Sequence, residues 1–477
     1  MRVVKYFSAA LGCFLAVNAS AYYPQCVSVS DGINRLIAKV NNGPAKIGVV
    51  IQSLDTGRLY YSKNAHAYFE PASVQKLFTV SSALVNLGPH YRFPTELLAT
   101  GAISQGVLRG DLIFRFNGDP SLTQANIKSL VNELKTIGIT RVIGNVVVDN
   151  SAYNNIPYPA GWLWNDLTYD YAAPLDSIII NRNRFGLSLV PSRILGQKPE
   201  IIPSLPPGAA TFYNEAITTS RACGLSITSN EKNQYVVRGC VPRFAGTERR
   251  AAAIRNMPMF AKSLIREMLA KNGVSVSGFI MSGKTPVDAQ VVAQHFSAPL
   301  STIIIHLLKR SDNLYADTLL KKMGQHFSRG SGSWENGVQA MYPVLANNAG
   351  INLQHIRLID GAGLSRYNQV SPNDLSRLLS YINRNSMLRD TLVPALPIAG
   401  VDGTLAFRMS ALAHGKKLCA KTGSMAGVSS LAGFIKTDHH GLVSFVIMIN
   451  NIPKNRFPYI LLENNIAEFL AKAPKCG

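Results

Sequence analysis

The sequence has 477 residues, 47% of them hydrophobic and 16% charged, with a formal net charge of +21. That apolar share is enough for a large core and excludes a disordered chain, and nothing in the composition suggests collagen, a coiled coil or a disulfide-dense miniprotein. At about 150 residues per domain the length predicts two or three domains; the basic residues lie scattered, at most in pairs such as Arg249-Arg250, Lys321-Lys322 and Lys416-Lys417, which argues against a nucleic-acid partner.

Residues 1–21 read as a cleaved secretory leader: Arg2 and Lys5, apolar Phe7 to Val17, then Ala19-Ser20-Ala21 before Tyr22. The apolar run is too short for a bilayer, which needs about 20 residues, so no transmembrane helix is expected after cleavage. The exported chain stays strongly basic without Arg2 and Lys5, which suits loose association with the anionic surfaces of a cell envelope.

Ile33, Leu36, Ile37 and Val40 recur at helical spacing, and Lys46 to Leu54 and Leu59 to Ser62 flank Asp55-Thr56-Gly57 as a hairpin. A second helix is expected from Ser73 to Leu87, stopped by Gly88-Pro89. From 91 to 288, short apolar runs (Leu112 to Phe116, Arg141 to Val148, Ser177 to Ile180, Gly186 to Val190) alternate with Gly, Pro and Asn, the pattern of a mostly β insertion. Helical periodicity returns over Pro299 to Lys322. Leu431 to Thr437 and Leu442 to Ile449 then flank a polar turn containing His439 and His440, and Ile460 to Ala473 reads as an amphipathic helix. The expectation is an α/β protein whose catalytic unit joins residues 22–90 to 289–477 around the insertion. Among the cysteines outside the leader, Cys223 and Cys240 form the expected disulfide, Cys26 and Cys476 are placed to tie the chain ends, and Cys419 reads as a free buried thiol.

Ser73-Val74-Gln75-Lys76 opens the second helix. Residues three apart share a helical face, so Lys76 can reach the Ser73 hydroxyl. Serine is a poor nucleophile until a base takes its proton, and lysine is such a base only where burial or neighbouring cations lower its pKa. A chain this long contains about one or two Ser-x-x-Lys matches by chance; Ser229-Asn230-Glu231-Lys232 reads as one, in a solvated loop. Ser73 is set apart by two later triplets. Ser311-Asp312-Asn313 follows a helix over Thr302 to Lys309, where a tight turn can bring a hydroxyl and a carboxamide into a cleft. Lys421-Thr422-Gly423-Ser424-Met425 supplies a cation, a hydroxyl and a glycine that lets a substrate backbone lie beside the strand. The ordered set Ser-x-x-Lys, Ser-x-Asn, Lys-Thr-Gly is specific where each member alone is not.

This set resembles that of penicillin-binding proteins and serine β-lactamases, and the long insertion is similar to the D-alanyl-D-alanine carboxypeptidase/endopeptidase class typified by penicillin-binding protein four. Further similar segments run from Pro159 to Asp166, Ser297 to Leu300, Asp360 to Arg366 and Ala399 to Leu405, with Ala362 standing where the family commonly has serine. The resemblance implies an antiparallel sheet covered by helices, and periplasmic serine-type cleavage of peptidoglycan peptides, blocked by β-lactams, with no metal or cofactor. It implies that Ser73 forms an acyl-enzyme, Lys76 is its base, Ser311 relays a proton to the leaving group and Asn313 holds the substrate amide. Lys421 and Thr422, with Gly423 between them and Ser424, would bind the terminal carboxylate, and the N–H groups of Ser73 and Ser424 would form the oxyanion hole. Asp166, Tyr171 and Met425 would hold the free amine and stem of a diaminopimelyl side chain, Asp166 being partly desolvated beside Trp162 and Trp164. The alternative for Asp166 is capping a turn.

Two rival functions are a β-lactamase and a non-catalytic envelope-binding protein on the same scaffold. The first needs a deacylating group; Glu335 is the only glutamate between Ser311 and Lys421, and it reads as part of a solvated loop. The second is disfavoured by completeness of the three motifs. A zinc carboxypeptidase is excluded because the nine histidines form no His-Glu-x-x-His or comparable cluster.

Overall fold

The computed structural model describes residues 27–40 and 43–475; the leader and the expected Cys26–Cys476 pair lie outside the described residues. Strands from both ends of the sequence make one five-stranded antiparallel sheet, in the order 418–425, 428–436, 442–450, 46–53, 59–63. Lys46–Ser53 pairs with Leu442–Asn450 along its whole length, Lys46 opposite Asn450 and Ser53 opposite Val443.

Side chains alternate across a strand, so this sheet has two apolar faces. Phe445, Ile447 and Ile449 point to one, where the helices Val29–Ala38 and Phe457–Lys472 lay down Ile33, Ile37, Leu462 and Ile466. Val446, Met448, Ala432 and Phe434 point to the other, toward the helices Lys76–Leu87 and Pro372–Arg384. Each such side chain withdrawn from water contributes about 1.5–3 kcal/mol. The Lys76–Leu87 helix is buried from Lys76 through Leu84, because the helix Asn313–Ser328 covers it from the other side. On it Thr79 Oγ1 donates to the Gly361 carbonyl at 2.7 Å, whereas the buried hydroxyls of Ser81 and Ser82 have no hydrogen-bond partner among the described residues.

Strands between Pro94 and Phe296 form four further sheets, and the helices Gln124–Thr136 and Met257–Lys271 share a core with them that includes Leu97, Phe114, Phe116 and Ile265. Gln290–Phe296 pairs with Pro94–Ala99, so inserted sheet continues past the expected return at 289, and helix resumes at Leu300. The run Arg141 to Val148 divides into strands Arg141–Val142 and Val146–Asp149 of two different sheets.

Other expectations also need correction. Ser177 to Ile180 is buried but is not a strand: Ile178 and Ile180 enter the inserted core and Ile179 the helical one, so the segment is packed into both cores at once. Glu335 is exposed as expected, yet it sits in the first turn of the helix Trp334–Pro343, which Ser333 and Asn336 cap reciprocally. Of the basic pairs, Lys321-Lys322 adds nothing to the surface charge. Both are buried, and Lys321 donates to Asn154 Oδ1 at 2.9 Å and to the Ile156 carbonyl at 2.8 Å. Cys223 and Cys240 are bonded, with Cα atoms 5.6 Å apart, and Cys419 is a free thiol whose pKa burial pushes up to about 12.

Candidate active site

The helix that carries Lys76 begins with a tighter turn, Ala72–Gln75, that sets Ser73 at its mouth. Two glycines make that turn possible. A Cβ on Gly423 would lie 2.8 Å from the Pro71 carbonyl oxygen, so the strand Leu418–Met425 approaches the turn only because that position has no side chain. Besides the room expected for a substrate backbone, this glycine clears space for the segment that bears Ser73. Gly363 has φ of +82° and packs against the Ala72 carbonyl, and Ala72 itself is held at φ 49°, a left-handed conformation costing of order 1 kcal/mol.

Lys76 is completely buried. Its Nζ lies 2.8 Å from Ser73 Oγ, 2.7 Å from Asn313 Oδ1 and 2.7 Å from the Ala362 carbonyl. An ammonium donates to all three. A neutral amine keeps two N–H donors, which Asn313 and Ala362 satisfy, and has one lone pair left to accept the Ser73 hydroxyl proton. Burial lowers the Lys76 pKa to about 8, while Asp317, Asp360 and Asp312 act in the opposite direction. Asp317 Oδ1 accepts the backbone N–H groups of Gly361 and Ala362 at 2.8 and 2.9 Å, which fixes the carbonyl that Ala362 offers to Lys76. That contact comes from the backbone, so the departure from serine at 362 leaves it intact.

Ser311 adopts a left-handed φ of 56° between two helices, and Asp312 caps the second of them by accepting from Tyr315 N–H. This kink puts Ser311 and Asn313 on one side. Burial would raise the Asp312 pKa, but hydrogen bonding from His306 and the charge of Arg182 outweigh it and hold the carboxyl below its ordinary value. Lys421 Nζ donates to Ser311 Oγ and to the Thr422 carbonyl, each at 2.8 Å. It too is completely buried, and burial, with the nearby charge of Lys76, pushes its pKa well below the usual lysine range.

Ser73, Asp166, Tyr171, Ser311, Asn313, Thr422, Ser424 and Met425 line one cleft of about 580 Å³, and Lys76, Lys421 and Gly423 lie directly beneath it. A larger cleft of about 860 Å³, against the Asn313–Ser328 helix, contains none of these residues. Tyr171 Oη donates to Asp166 Oδ1 at 2.9 Å, and the Tyr171 carbonyl accepts from Asn313 Nδ2 at 2.8 Å, which ties the inserted segment to the Ser-x-Asn turn. Among the described residues the Asp166 carboxylate has no other hydrogen-bond partner, so its side chain caps no turn. Trp162 and Trp164 do not flank it as expected. Trp162 Nε1 donates to Asp360 Oδ2 at 2.9 Å, and Trp164 is 74% exposed in a separate hollow beside the strand Leu225–Ser229. Ser229 lies in that hollow, hydrogen-bonded to Thr168 and Arg255, apart from the cleft.

The sequence matches the D-Ala-D-Ala carboxypeptidase 3 (S13) family over residues 30–472. The chain belongs to that family. It is 31% identical to the D-alanyl-D-alanine carboxypeptidase DacB of Haemophilus influenzae, over 99% of this chain and all of that one. The crystal structure of penicillin binding protein 4 from Haemophilus influenzae superposes with a TM-score of 0.85 at 32% identity, covering 92% of this chain and 99% of that one. A second crystal structure of that protein, complexed with a β-lactam, gives 0.81 over the same shares. Membership of the S13 family makes this chain a serine-type hydrolase.

Sequence reasoning missed part of the S13 cleft wall. Thr404 Oγ1 hydrogen-bonds Thr422 Oγ1 at 2.8 Å, and Arg366, Arg408 and Arg456 all reach the cleft. Thr404 and Arg366 fall inside segments that the resemblance already singled out; Arg408 and Arg456 carry no spacing signal at all.

Proposed function

We propose that this chain is a periplasmic D-Ala-D-Ala carboxypeptidase and DD-endopeptidase that cleaves peptidoglycan peptides through an acyl-enzyme on Ser73 and is inhibited by penicillin. The observation that carries the reading is Lys76: a buried amine with two hydrogen-bond acceptors satisfied and its third contact on Ser73 Oγ. Ser73 Oγ attacks the carbonyl of the penultimate D-alanine while Lys76 takes its proton. The oxyanion is met by the backbone N–H groups of Ser73 and Ser424. Collapse of the tetrahedral adduct breaks the C–N bond, and the departing amine takes a proton relayed through Ser311, which is hydrogen-bonded to Lys421. Asn313 holds the substrate amide, and Lys421 and Thr422 hold the terminal carboxylate. Water then hydrolyses the ester and restores Ser73. Asp166, Tyr171 and Met425 hold a distal ammonium and its methylene stem, as their place on the cleft allows. The leader pattern and the Cys223–Cys240 bond favour an exported, oxidising location.

Among the described residues Asp166 is the only carboxylate lining the cleft, and it is engaged by Tyr171. Glu335 does not line it. This favours a persistent acyl-enzyme over the rapid turnover of a β-lactamase. Intact mass after incubation with penicillin tests the reading: one stable adduct is expected, lost in Ser73→Ala and retained in Ser229→Ala. Hydrolysed penicillin without a trapped adduct would instead make the protein a β-lactamase.

A further inference from the structure

We propose that Arg456, with Arg408 beside it, forms a second anion site at the leaving-group end of the cleft, favouring substrates whose departing residue carries a carboxylate beyond the one next to the scissile bond. This rests on the peptidase reading above and adds a specificity to it.

The cleft has two chemically different ends. Asn313, Tyr171 and Asp166 are linked by hydrogen bonds at one. At the other, Thr404 meets Thr422, and Arg408, four residues on in the same turn, shares the wall with Arg456. Arg408 donates Nη2 to Glu463 at 2.7 Å and Nε to Asn464 Oδ1 at 2.9 Å. Glu463 is completely buried, and its second oxygen accepts from Ser429 Oγ at 2.6 Å. Arg456 precedes the first turn of the C-terminal helix, close enough for its charge to act on Glu463, yet among the described residues its side chain makes no hydrogen bond and no ion pair.

Two guanidinium groups therefore stand near one carboxylate, which is bonded to Arg408 alone and turned inward. The surplus charge and the unused donors belong to Arg456 and face the cleft. Arg366, the third arginine on the wall, is different: Glu70 accepts from it at 2.9 Å and the Ala426 carbonyl at 2.8 Å. A half-exposed guanidinium with free donors matches a carboxylate in both charge and fork geometry. The carboxylate adjoining the scissile bond is already assigned to Lys421 and Thr422, so the spare guanidinium fits a second one. A departing D-alanine has none to offer. The departing half of a cross-link is a whole peptide and carries further carboxylates, so the site tilts selection toward cross-links.

The test uses the full chain and two peptides that differ only in the departing residue, one ending in D-alanyl-D-glutamate and the other in D-alanyl-D-glutamine. The wild type is expected to show about tenfold higher kcat/KM on the D-glutamate peptide, with the ratio shrinking at high salt. Arg456→Gln should bring the ratio toward one through loss on the D-glutamate peptide. Lys198→Gln, which removes an exposed cation from the inserted region, should keep the wild-type ratio and so controls for the general attraction of a basic protein. A wild-type ratio near one, a ratio unchanged in Arg456→Gln, or an equal fall in Lys198→Gln overturns the site. Hydrolysis of the D-glutamine peptide and the mass of the penicillin adduct report the peptidase reading on their own, so the two readings fail separately.

Discussion

Lys76 and Lys421 lie beneath the same cleft and are both withdrawn completely from solvent, but the protein surrounds them in opposite ways. Three carboxylates, on Asp317, Asp360 and Asp312, work against burial at Lys76 and leave its pKa at about 8. At Lys421 no carboxylate opposes burial, and the charge of Lys76 adds to it, so the amine is pushed far below its ordinary range. Equal burial thus produces two different reagents. Lys76 titrates near working pH and is aimed at a hydroxyl, which suits a base. Lys421 lacks a counter-ion in the free protein, which suits a group completed by the carboxylate of its substrate.

The sharpest way to break this contrast is at Lys76. Lys76→Arg keeps the charge but offers no amine that gives up its proton, so penicillin acylation should fall by about 10²–10⁴-fold. In the wild type the acylation rate should rise with pH and level off above about 8, because the lowered pKa leaves the neutral amine dominant only beyond that point. Stopped-flow acylation from pH 6 to 10 reads both effects. A normal rate in Lys76→Arg would remove Lys76 as the base.

Asp166 extends the comparison to a charge held in the open cleft. On the proposed function, pairing of its carboxylate with a substrate ammonium would contribute about 1.5–3 kcal/mol, roughly ten- to a hundredfold in kcat/KM. Asp166→Asn should therefore slow peptides with a free diaminopimelyl amine and spare those whose amine is acetylated. Equal loss on both would point to a purely structural role through Tyr171.

The smallest effect concerns Lys421. Where the amine is neutral in the free protein, binding of a carboxylate takes up a proton, so KM should climb with pH by less than tenfold per unit. A substrate analogue with its terminal carboxylate amidated should show no such climb. Parallel profiles for the two peptides would mean that Lys421 is not the group that meets the carboxylate.

Much of the layout around the cleft is legible in local pattern. The hairpin at Asp55-Thr56-Gly57, the helix ended by Gly88 and the last two long strands all follow from periodicity and turn residues, and the structure has them. The failures share a cause, which is that burial is a tertiary property. Ser177 to Ile180 looks like a strand because it is apolar, yet its residues divide between two cores. Lys321 and Lys322 look like surface charge because lysine usually is, yet the helix that carries them is enclosed. Asn336-Gly337 looks like a loop because it also suits turns, yet Asn336 here caps a helix. In the cleft, spacing exposes Ser73 with Lys76 and Ser311 with Asn313 because those partners are neighbours in sequence. Arg456 comes to share the cleft wall with Arg408 only after the final helix docks, and no local rule anticipates that.

The pairing of Lys46–Ser53 with Leu442–Asn450 has a consequence for how the protein comes into being. Ser73 and Lys76 leave the ribosome early, whereas Lys421 and the strand that completes the central sheet leave near the end. At about 5–20 residues per second the gap is tens of seconds. Throughout that interval the early hairpin has an unpaired edge, Lys76 lacks Asn313 and the Ala362 carbonyl, and Ser73 lacks the strand that closes over its turn. A partly synthesised chain is therefore chemically silent, and its first strand is a natural client for a holding chaperone. Such dependence on distant partners also makes for slow folding, so activity is expected to appear late and all at once.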